Sequence, residues 1–405
     1  MPHIASSRWA AAARAKISTN PTDPTTLLSV PRKKIQDEVA ISANEQILRA
    51  RSSGIHCLEW EAESKQKLSP AIWKGDGDSE SYQSRTRRVP GTRLYAFCDA
   101  PIAIGQIGII NSGEFCELDY PSFGESSRFN ELRNQELISD WQQDSITLRA
   151  PTKSITISGD CALITQHGDH VWGHWLVDVL PRLHLVRRIY PDIIFAFSGL
   201  LRSAGELLER SGLRPDQMVF YDPYRTLIKA DRFLVPGCVR FANAFARSAG
   251  SIFASFSAYD RIRTHRIYIS RARLKEGSSI LNYTTIENIF TRRGFRVVHP
   301  EAMSIDEQIK VFSTASHVAG EYGSGLHSSI YSASHTPVLC LQSPLMKQYV
   351  QAGLGKVMNQ PTGFVFGTPA SDPTPSMRKV PSYESRYCVI DSALAEEAAD
   401  ELLAF

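Results

Sequence analysis

Apolar residues recur most regularly between Arg266 and Gln342. Four short apolar runs of strand length alternate there with three longer segments whose apolar residues recur at helical spacing, as at Ile305, Ile309 and Phe312. Strands that alternate with helices predict a parallel, doubly wound sheet. The predicted strands are 266–270, 295–298, 317–320 and 338–341.

Local signals set the limits of the intervening helices. Thr284 with Glu287, and Ser304 with Glu307, each fit a capping box, in which a hydroxyl and a carboxylate satisfy free N–H groups at a helix start. Gly294 is a typical end for the first of these helices. A third helix is predicted from Leu326 to about Ser334.

The pattern before Arg266 is less regular. It predicts strands at 93–97 and 102–110, a hairpin of two strands that flank Ser158-Gly159-Asp160, a helical block from Trp172 to about Tyr190, and a helix within 241–262. The resulting domain assignment is a loose segment 1–45, an N-terminal α/β domain 46–255, a C-terminal nucleotide-binding domain 256–365, and a tail with a helix at 366–405.

Composition narrows the class of protein. With 42% hydrophobic and 21% charged residues, the chain is typical of a globular protein, and its formal charge of +3 with scattered Lys and Arg does not indicate nucleic-acid binding. Seven dispersed cysteines favour a reducing, cytoplasmic location. The apolar run Trp9–Ala13 is too short for a signal peptide, but the basic segment around it is compatible with peripheral contact at an anionic membrane.

A glycine-rich turn is the first candidate for chemistry. Gly320-Glu321-Tyr322-Gly323-Ser324-Gly325-Leu326-His327 joins a predicted strand to a predicted helix. Such a turn lets the backbone approach a ligand, and the helix N-terminus attracts negative charge. A diphosphate is therefore the expected ligand, although many strand-to-helix turns are glycine-rich for steric reasons alone.

Ser270, Arg271 and Arg273 follow the first strand of the same predicted sheet. Arginine suits bidentate contact with phosphate, and the carboxyl ends of parallel strands are where ligands bind. A surface ion pair is the alternative interpretation of these arginines.

His174, Asp178 and Arg182 are spaced four apart on an otherwise apolar helical block. Their spacing predicts a polar stripe, which Pro181 is expected to kink. The stripe is either a structural His–Asp pair or an acid/base pair, with Asp178 the first candidate for the base and His174 the second. A zinc site at His167, His170 and His174 is a third interpretation, but no further ligand has a recurring metal spacing, so no metal is expected.

Together these motifs resemble glycosyltransferase family 61. The resemblance runs over roughly residues 155–345 and rests on Gly173–Asp178, Leu180-Pro181-Arg182, Ile269-Ser270-Arg271, Gly294-Phe295, Pro300-Glu301, Ser304, Glu307-Gln308, Gly320 and Gly323–Leu326.

The resemblance implies a GT-B-like α/β fold, in which two Rossmann-like domains face a cleft. It implies an inverting glycosyltransferase that needs no cofactor or metal. The expected donor is a UDP-linked nucleotide sugar, and the expected acceptor is a glycan or a lipid-linked glycan. Bacterial relatives act in capsular or surface polysaccharide synthesis. Catalysis falls on Asp178 and His174, and acceptor binding on Trp172, Trp175 and Arg182. Either tryptophan could stack on a sugar ring, and core packing is the expected role of at least one of them. Donor binding falls on Ser270, Arg271, Arg273, Gly320, Tyr322, Gly323, Ser324, Gly325, Leu326 and His327.

The chain also departs from the family pattern. Tyr322 stands where the loop usually has histidine, and Ser279–Tyr283 lacks the usual arginine and acid. Arg273, Lys275 and His327 are the available replacements. Two other classes therefore remain open: an inactive relative that only binds a glycan, and a histidine-rich, metal-dependent hydrolase.

Overall fold

The computed structural model describes residues 17–20, 27–34, 41–42, 48, 53–77, 79–106, 108–118, 136–142, 144–149, 153–164, 168, 171–198, 204–256, 262–275, 277–371 and 386–405. The chain forms two compact units. The first comprises Met1–Glu63 and Pro90–Ala242, and the second comprises Ser64–Val89 and Asn243–Phe405. The boundary placed at 255/256 from sequence thus falls inside the second unit, which also includes an early segment assigned from sequence to the first domain.

The second unit is built on a fully parallel sheet. Its strands lie in the order Phe295–Val298, His265–Ile269, Ala315–Glu321, Val338–Gln342, Thr362–Phe366 and Ile72–Lys74. The four strands predicted from the apolar runs are confirmed. The two strands at one end of the sheet, Thr362–Phe366 and Ile72–Lys74, were not predicted. They pair with each other, so sheet hydrogen bonding draws residues 64–89 into this unit.

Five strands of this sheet come after residue 264, and numbered in chain order they have the spatial order 2-1-3-4-5. This is the flavodoxin-like doubly wound order, in which the chain reverses direction across the sheet between the first and third strands. Ligands bind such sheets at the carboxyl ends of the strands on either side of this switch point. The fold therefore directs attention to the residues after Ile269 and after Gly320.

Helices cover the sheet of the second unit. Tyr283–Arg292 and Ser392–Leu402 bury Ile286, Phe290 and Ala399 in one core with the strand residues Tyr268 and Leu339. The helices that the structure describes in this unit are Ser79–Ser84, Arg247–Phe256, Tyr283–Arg292, Ile305–Ser313, Ser324–His327, Val350–Met358 and Ser392–Leu402, with 3₁₀ turns at Pro300–Ala302, Ser328–Tyr331 and Pro344–Met346. The C-terminal helix is thus part of this core rather than a separate tail. Short strands lie at Ser64–Gln66, Arg87–Val89, Ala244–Phe245, Thr368–Pro369 and Cys388–Val389.

One of the two predicted capping boxes forms. Ser304 accepts the N–H of Glu307, whose carboxylate accepts the N–H of Ser304, so the helix Ile305–Ser313 starts as predicted. The box at Thr284 was wrong, because the preceding helix starts at Tyr283 after Asn282. The Asn282 side chain instead pairs with both backbone groups of Ile390, which fixes the C-terminal segment against this helix. Gly294 follows the helix with φ of +82°, as predicted for its end.

The first unit contains a large mixed sheet. Four of its strands, Thr226–Pro236, Lys153–Ile164, Ile194–Phe197 and Met218–Phe220, are neighbours in that order and run parallel. Antiparallel strands continue the sheet from Thr226–Pro236. The strands outside the parallel group are Ile17–Asn20, Leu27–Lys34, Ile41–Ser42, Ile55–Glu61, Thr92–Phe97, Ile102–Ile104, Gly108–Asn111, Glu114–Glu117, Ile138–Trp141 and Ser145–Arg149, and Arg240–Phe241 lies near the end of the unit.

Two strand predictions in the first unit were wrong in detail. Residues 102–110 form two antiparallel strands rather than one. Residues 153–164 form one strand rather than a hairpin, with a bulge between Ile157 and Asp160 and Gly159 at φ of +94°. The bulge has a structural reason: the first half of this strand pairs with Ile17–Asn20 and the second half with Ile194–Phe197, while Thr226–Pro236 pairs with both.

The helical block after this strand is confirmed. It consists of Trp172–His174, a π-helical turn Trp175–Val179 and Leu180–Ile189, which together are named the Trp172 helix. Among the described residues, the other helices of this unit are Ala204–Arg210 and the 3₁₀ turn Pro215–Gln217. The helix predicted within 241–262 is shorter, at Arg247–Phe256, and belongs to the second unit. Among the described residues, every helix falls short of the combined length and apolarity needed to cross a bilayer.

Candidate functional site

The Trp172 helix presents the first group of candidate residues at the carboxyl edge of the parallel strands. It begins soon after the end of strand Lys153–Ile164. Its π turn is consistent with Pro181, because a wider turn keeps the proline ring away from a preceding carbonyl and tolerates its missing N–H. The irregularity predicted at Pro181 thus appears as a change of helix type in the turn before it.

Within this helix, His174 and Asp178 make the predicted contact. His174 Nδ1 lies 2.7 Å from Asp178 Oδ2. Arg240, from the strand that follows Pro236 by a few residues, donates from Nε to Asp178 Oδ1 at 2.6 Å and from Nη2 to Oδ2 at 2.8 Å. These three residues are named the Asp178 cluster. The bidentate geometry is the strong form of an arginine–carboxylate pair.

The charge state of Asp178 follows from these partners. Burial raises the pKa of the carboxyl, but attraction to Arg240 and hydrogen bonding with His174 outweigh it and hold the pKa well below its ordinary value of 3.8. The Asp178 side chain is 3% exposed, whereas that of His174 is 19% exposed. Asp178 is thus a fixed buried anion, and His174 is the member of the cluster that solvent reaches.

Gly168 packs against the ring of His174. Its backbone has φ of +83°, and a Cβ at this position would lie 2.7 Å from His174 Cδ2 and 2.9 Å from Nε2. A side chain here would displace the imidazole. Asp178 on one side and Gly168 on another therefore define the orientation of His174.

The three acceptor candidates on the Trp172 helix have different surroundings. Trp175 is buried and packs against Phe197 with ring centroids 5.7 Å apart, which indicates a core position. Arg182 is also buried and donates from Nε and Nη2 to the Pro236 carbonyl, at 3.1 and 2.8 Å, so it anchors the helix to the end of a strand. Trp172 is only partly buried, and its Nε1 has no hydrogen-bonding partner among the described residues.

The second group of candidates lies at the switch point of the parallel sheet in the second unit. Ser270 and Arg271 directly follow strand His265–Ile269, and the glycine turn directly follows Ala315–Glu321. The two strands are neighbours, with Ile269 opposite Gly320. The sequence-predicted Ser-Arg pair and glycine turn are therefore brought together in one site.

Arg271 and Gly323 are in close contact. Gly323 has φ of +150°, and a Cβ added there would overlap Nη1 of Arg271. The absence of a side chain at 323 thus makes room for the guanidinium. Arg271 Nε is buried without a hydrogen-bonding partner in the described part of the chain. Because buried donors are normally paired, this N–H is a candidate donor to an anionic ligand.

Glu321 completes this site and is buried. Its Oε1 accepts the N–H of Arg271 at 3.1 Å. Its Oε2 lies 2.7 Å from Ser278 Oγ and accepts from Ser279 N at 3.1 Å and from Ser279 Oγ at 3.3 Å. Glu321, Arg271, Ser278 and Ser279 are named the Glu321 cluster. Burial raises the pKa of Glu321 above its ordinary value of 4.5, because the opposing hydrogen bonds and the charge of Arg271 do not cancel it.

The remaining donor candidates surround this cluster to different degrees. Arg273 is exposed, Ser270 is buried and accepts the N–H of Ala272 at 3.1 Å, and His327 is buried beside Gln351 Oε1 at 3.4 Å. Tyr322 stacks edge-on to His327 at 6.0 Å. Gly320 and Leu326 are buried, whereas Ser324 and Gly325 are partly accessible.

The helix after the glycine turn is shorter than predicted. An α-helical turn Ser324–His327 is followed by a 3₁₀ turn Ser328–Tyr331. Gln360 Nε2 donates to the carbonyls of Ser329, Ser332 and Ala333 at 3.1 to 3.4 Å. This side chain therefore satisfies carbonyls that lie at and just beyond the end of the helical segment.

Residues 172–339 match the model of the family Glycosyltransferase 61. The matched segment contains both the Asp178 cluster and the Glu321 cluster. It spans well under half of the chain and includes the switch-point strands of the second unit. The match supports a glycosyltransferase, in agreement with the motifs from which the resemblance was inferred.

Other comparisons add little. One of the solved structures that match is the dodecameric, iron-containing heptosyltransferase TibC in complex with ADP-D-β-D-heptose. TibC is 11% identical to this chain, and the alignment covers 75% of this chain and 81% of TibC with a TM-score of 0.25. At such low similarity nothing about ligands follows for this protein. None of the curated proteins compared with the chain matches it.

Of the three histidines in the metal interpretation, only His174 belongs to the described residues. The described residues contain no group of three or more His, Cys, Asp or Glu side chains that could hold a metal ion. His167 and His170, two of the three histidines proposed from sequence, lie outside the described residues.

Sequence reasoning missed Arg240 and Glu321 as site residues. Arg240 is 62 residues from Asp178 and stands outside any recognisable motif. Glu321 lies within the glycine turn, and a charged residue at the buried end of a predicted strand was the available signal for it.

Proposed function

We propose that this protein is an inverting, metal-independent glycosyltransferase that transfers a sugar from a nucleotide-sugar donor, UDP-linked, to a glycan or lipid-linked glycan acceptor. One observation carries the proposal: the segment that matches the family contains both a histidine paired with a carboxylate, His174, and an arginine placed to bind phosphate, Arg271. Capsular or surface polysaccharide synthesis at the cytoplasmic face of a membrane is the proposed setting.

His174 is the proposed general base. Asp178 is paired with Arg240 and held ionised, and a carboxylate with so low a pKa is a poor proton acceptor near neutral pH. As a fixed anion, Asp178 instead accepts the hydrogen of His174 Nδ1. In neutral His174 this pairing leaves the lone pair on Nε2. The order of candidates inferred from sequence is therefore reversed, and Asp178 takes the role of positioning residue.

The proposed reaction proceeds as one displacement. Nε2 of His174 removes the proton from an acceptor hydroxyl, while the acceptor oxygen forms a bond to the anomeric carbon and the bond from that carbon to the diphosphate oxygen breaks. Asp178 stabilises the imidazolium that forms. Arg271 and the backbone of the glycine turn stabilise the growing negative charge on the diphosphate, in place of a metal.

The proposal assigns donor and acceptor to different parts of the chain. Donor binding belongs to the second unit, through Arg271 and Gly323–Gly325, with Arg273 and His327 nearby in sequence. Acceptor binding belongs to the first, with Trp172 the favoured sugar-stacking residue, because Trp175 and Arg182 are buried. The cleft of a GT-B-like arrangement is part of this proposal.

A screen of nucleotide sugars tests the function. Purified protein is incubated with each donor, with and without EDTA and a panel of glycan acceptors, and release of the nucleoside diphosphate is measured. Turnover of at least one donor that persists in EDTA is the expected result. Turnover that EDTA abolishes and zinc or manganese restores would favour the hydrolase. Binding of glycans without turnover of any donor would favour the inactive relative.

A further inference from the structure

One buried side chain, that of Glu321, is bonded to both ends of the loop that carries Arg271. Residues 271–279 leave strand His265–Ile269 and return to Glu321. Glu321 accepts hydrogen bonds from both ends of this loop, from the Arg271 N–H at one end and from the Ser279 N–H at the other, where its Oε2 also lies 2.7 Å from Ser278 Oγ. One carboxyl group thus closes a loop of about nine residues at the switch point.

The distances around Ser278 Oγ indicate whether Glu321 is protonated when it holds the loop. Ser278 Oγ lies 2.7 Å from Glu321 Oε2 and 2.9 Å from the Ile280 carbonyl, and it accepts the N–H of Ile280 at 3.0 Å. A serine hydroxyl has one hydrogen, so it cannot donate to both oxygens. Both short distances are satisfied if Glu321 is protonated and donates to Ser278, whose own hydrogen goes to Ile280.

A neutral Glu321 suits an anion-binding site. An ionised carboxylate beside Arg271 would repel a diphosphate and compete with it for the guanidinium. The contacts of Glu321 are with the backbone N–H of Arg271 rather than its guanidinium, which lies against Gly323 instead. Glu321 therefore fixes the backbone of Arg271 without consuming its charge.

We propose that Glu321 is a positioning residue for the donor diphosphate. Glu321 holds the 271–279 loop so that the Arg271 guanidinium stays against Gly323 and faces the ligand. Glu321 itself does not touch the donor. This inference rests on the proposed function, since it assigns the machinery that presents Arg271 to a nucleoside diphosphate. It predicts that the effect of Glu321 on affinity passes entirely through Arg271.

A double-mutant cycle tests this dependence. Affinity for UDP and for inorganic pyrophosphate is measured by calorimetry for the wild type, Glu321→Ala, Arg271→Ala and the double variant. Glu321→Ala should weaken UDP binding about tenfold and Arg271→Ala at least as much, and the double variant should match Arg271→Ala because the effects are not additive. Fully additive losses, or unchanged affinity in Glu321→Ala, would overturn the inference.

A stability control separates positioning from general damage. Asp391 accepts the N–H groups of Ala393 and Leu394 at 2.8 and 3.0 Å at the start of the C-terminal helix of the same unit. Asp391→Ala should lower the melting temperature without changing UDP affinity. If it weakened UDP binding as much as Glu321→Ala does, affinity would simply report stability.

Hydrogen exchange provides a test that needs no ligand. The amides of Arg271 and Ser279 donate to Glu321, so both should exchange about tenfold faster or more in Glu321→Ala, and the Arg271 amide should regain protection in Glu321→Gln, which keeps one carbonyl oxygen. Unchanged exchange in Glu321→Ala would refute the loop-holding role. If exchange responds as expected but the wild type binds neither UDP nor pyrophosphate, the proposed function fails while the positioning of the loop stands.

Discussion

Two buried carboxyl groups, Asp178 in the first unit and Glu321 in the second, are held in opposite ways. Asp178 is bonded to a guanidinium and an imidazole, so it stays ionised. Glu321 is bonded to amides and hydroxyls, so burial favours its neutral form. The comparison shows that depth of burial does not decide the charge of an acid; the partners do. A fixed anion can orient a histidine, whereas a neutral acid can hold a loop beside an anion.

The largest expected effect concerns the group that the fixed anion orients. His174→Gln should lower turnover by about two to four powers of ten, the usual size of general-base catalysis, with little change in donor affinity. Steady-state kinetics and UDP calorimetry measure the two quantities. The matched variant Asp178→Asn should lower turnover as well, because the imidazole loses its charged partner. If Asp178→Asn abolished turnover while His174→Gln were nearly neutral, the aspartate would be the base.

Neutralising each carboxyl in turn tests the comparison directly. Asp178→Asn leaves Arg240 buried without its anion and should lower the free energy of unfolding by about 3–5 kcal/mol. Glu321→Gln changes no charge if the acid is already neutral, so its cost should be near 1 kcal/mol, from one imperfect hydrogen bond. Chemical denaturation of both variants supplies the values. Equal losses would show that the two acids are in the same charge state.

The contact of Arg271 with Gly323 provides a more local test. Gly323→Ala puts a Cβ where Arg271 Nη1 lies, so the guanidinium must move and UDP affinity should fall about tenfold, equivalent to about 1.4 kcal/mol. Gly159→Ala is the matched control, because Gly159 also has a positive φ but open space around its Cβ position. The control should lose stability through backbone strain but keep its affinity for UDP. Similar affinity losses in both would point to strain alone.

The smallest expected effect is on pH dependence. A raised folded-state pKa means that Glu321 contributes stability at low pH and that this contribution is lost as the pH rises from about its ordinary value of 4.5 through the raised value. Asp178, with a lowered pKa, contributes above 3.8 and loses its contribution as the pH falls below that value. The difference in melting temperature between wild type and Glu321→Gln should therefore shrink as the pH rises from 4.5. A difference that grows over this range would reverse the assignment for Glu321.

Local patterns in the sequence were enough for four of the six strands in the parallel sheet of the second unit and for one side-chain pair in the first unit. Apolar periodicity predicted the four strands from His265 to Gln342, and a spacing of four predicted the contact of His174 with Asp178. Both depend on neighbours in sequence, which is why a single chain reveals them.

Long-range contacts could not be read in this way. Arg240 meets Asp178 across 62 residues, and Ile72–Lys74 joins a sheet whose other strands come after residue 264. Thr284 carries a valid capping signal, but the tertiary contact of Asn282 with Ile390 decides where that helix starts. Likewise Gly159 has the sequence of a turn, and only the strands on either side of it show that it forms a bulge.

Each hydrogen bond in the π turn of the Trp172 helix spans one residue more than a hydrogen bond in an α-helix. Each residue of an α-helix turns the chain by about 100° about the helix axis. The extra residue therefore rotates the side chains before the π turn, about that axis, relative to Pro181 and Arg182. Arg182 fixes the later part to the Pro236 carbonyl, while His174 and Gly168 fix the earlier part. Removing one residue from Trp175–Val179 would restore a regular helix and turn one end out of place. In an alignment with a relative whose helix is regular here, the difference would be a one-residue gap, so the length of this segment is as much a determinant of the site as its residue types.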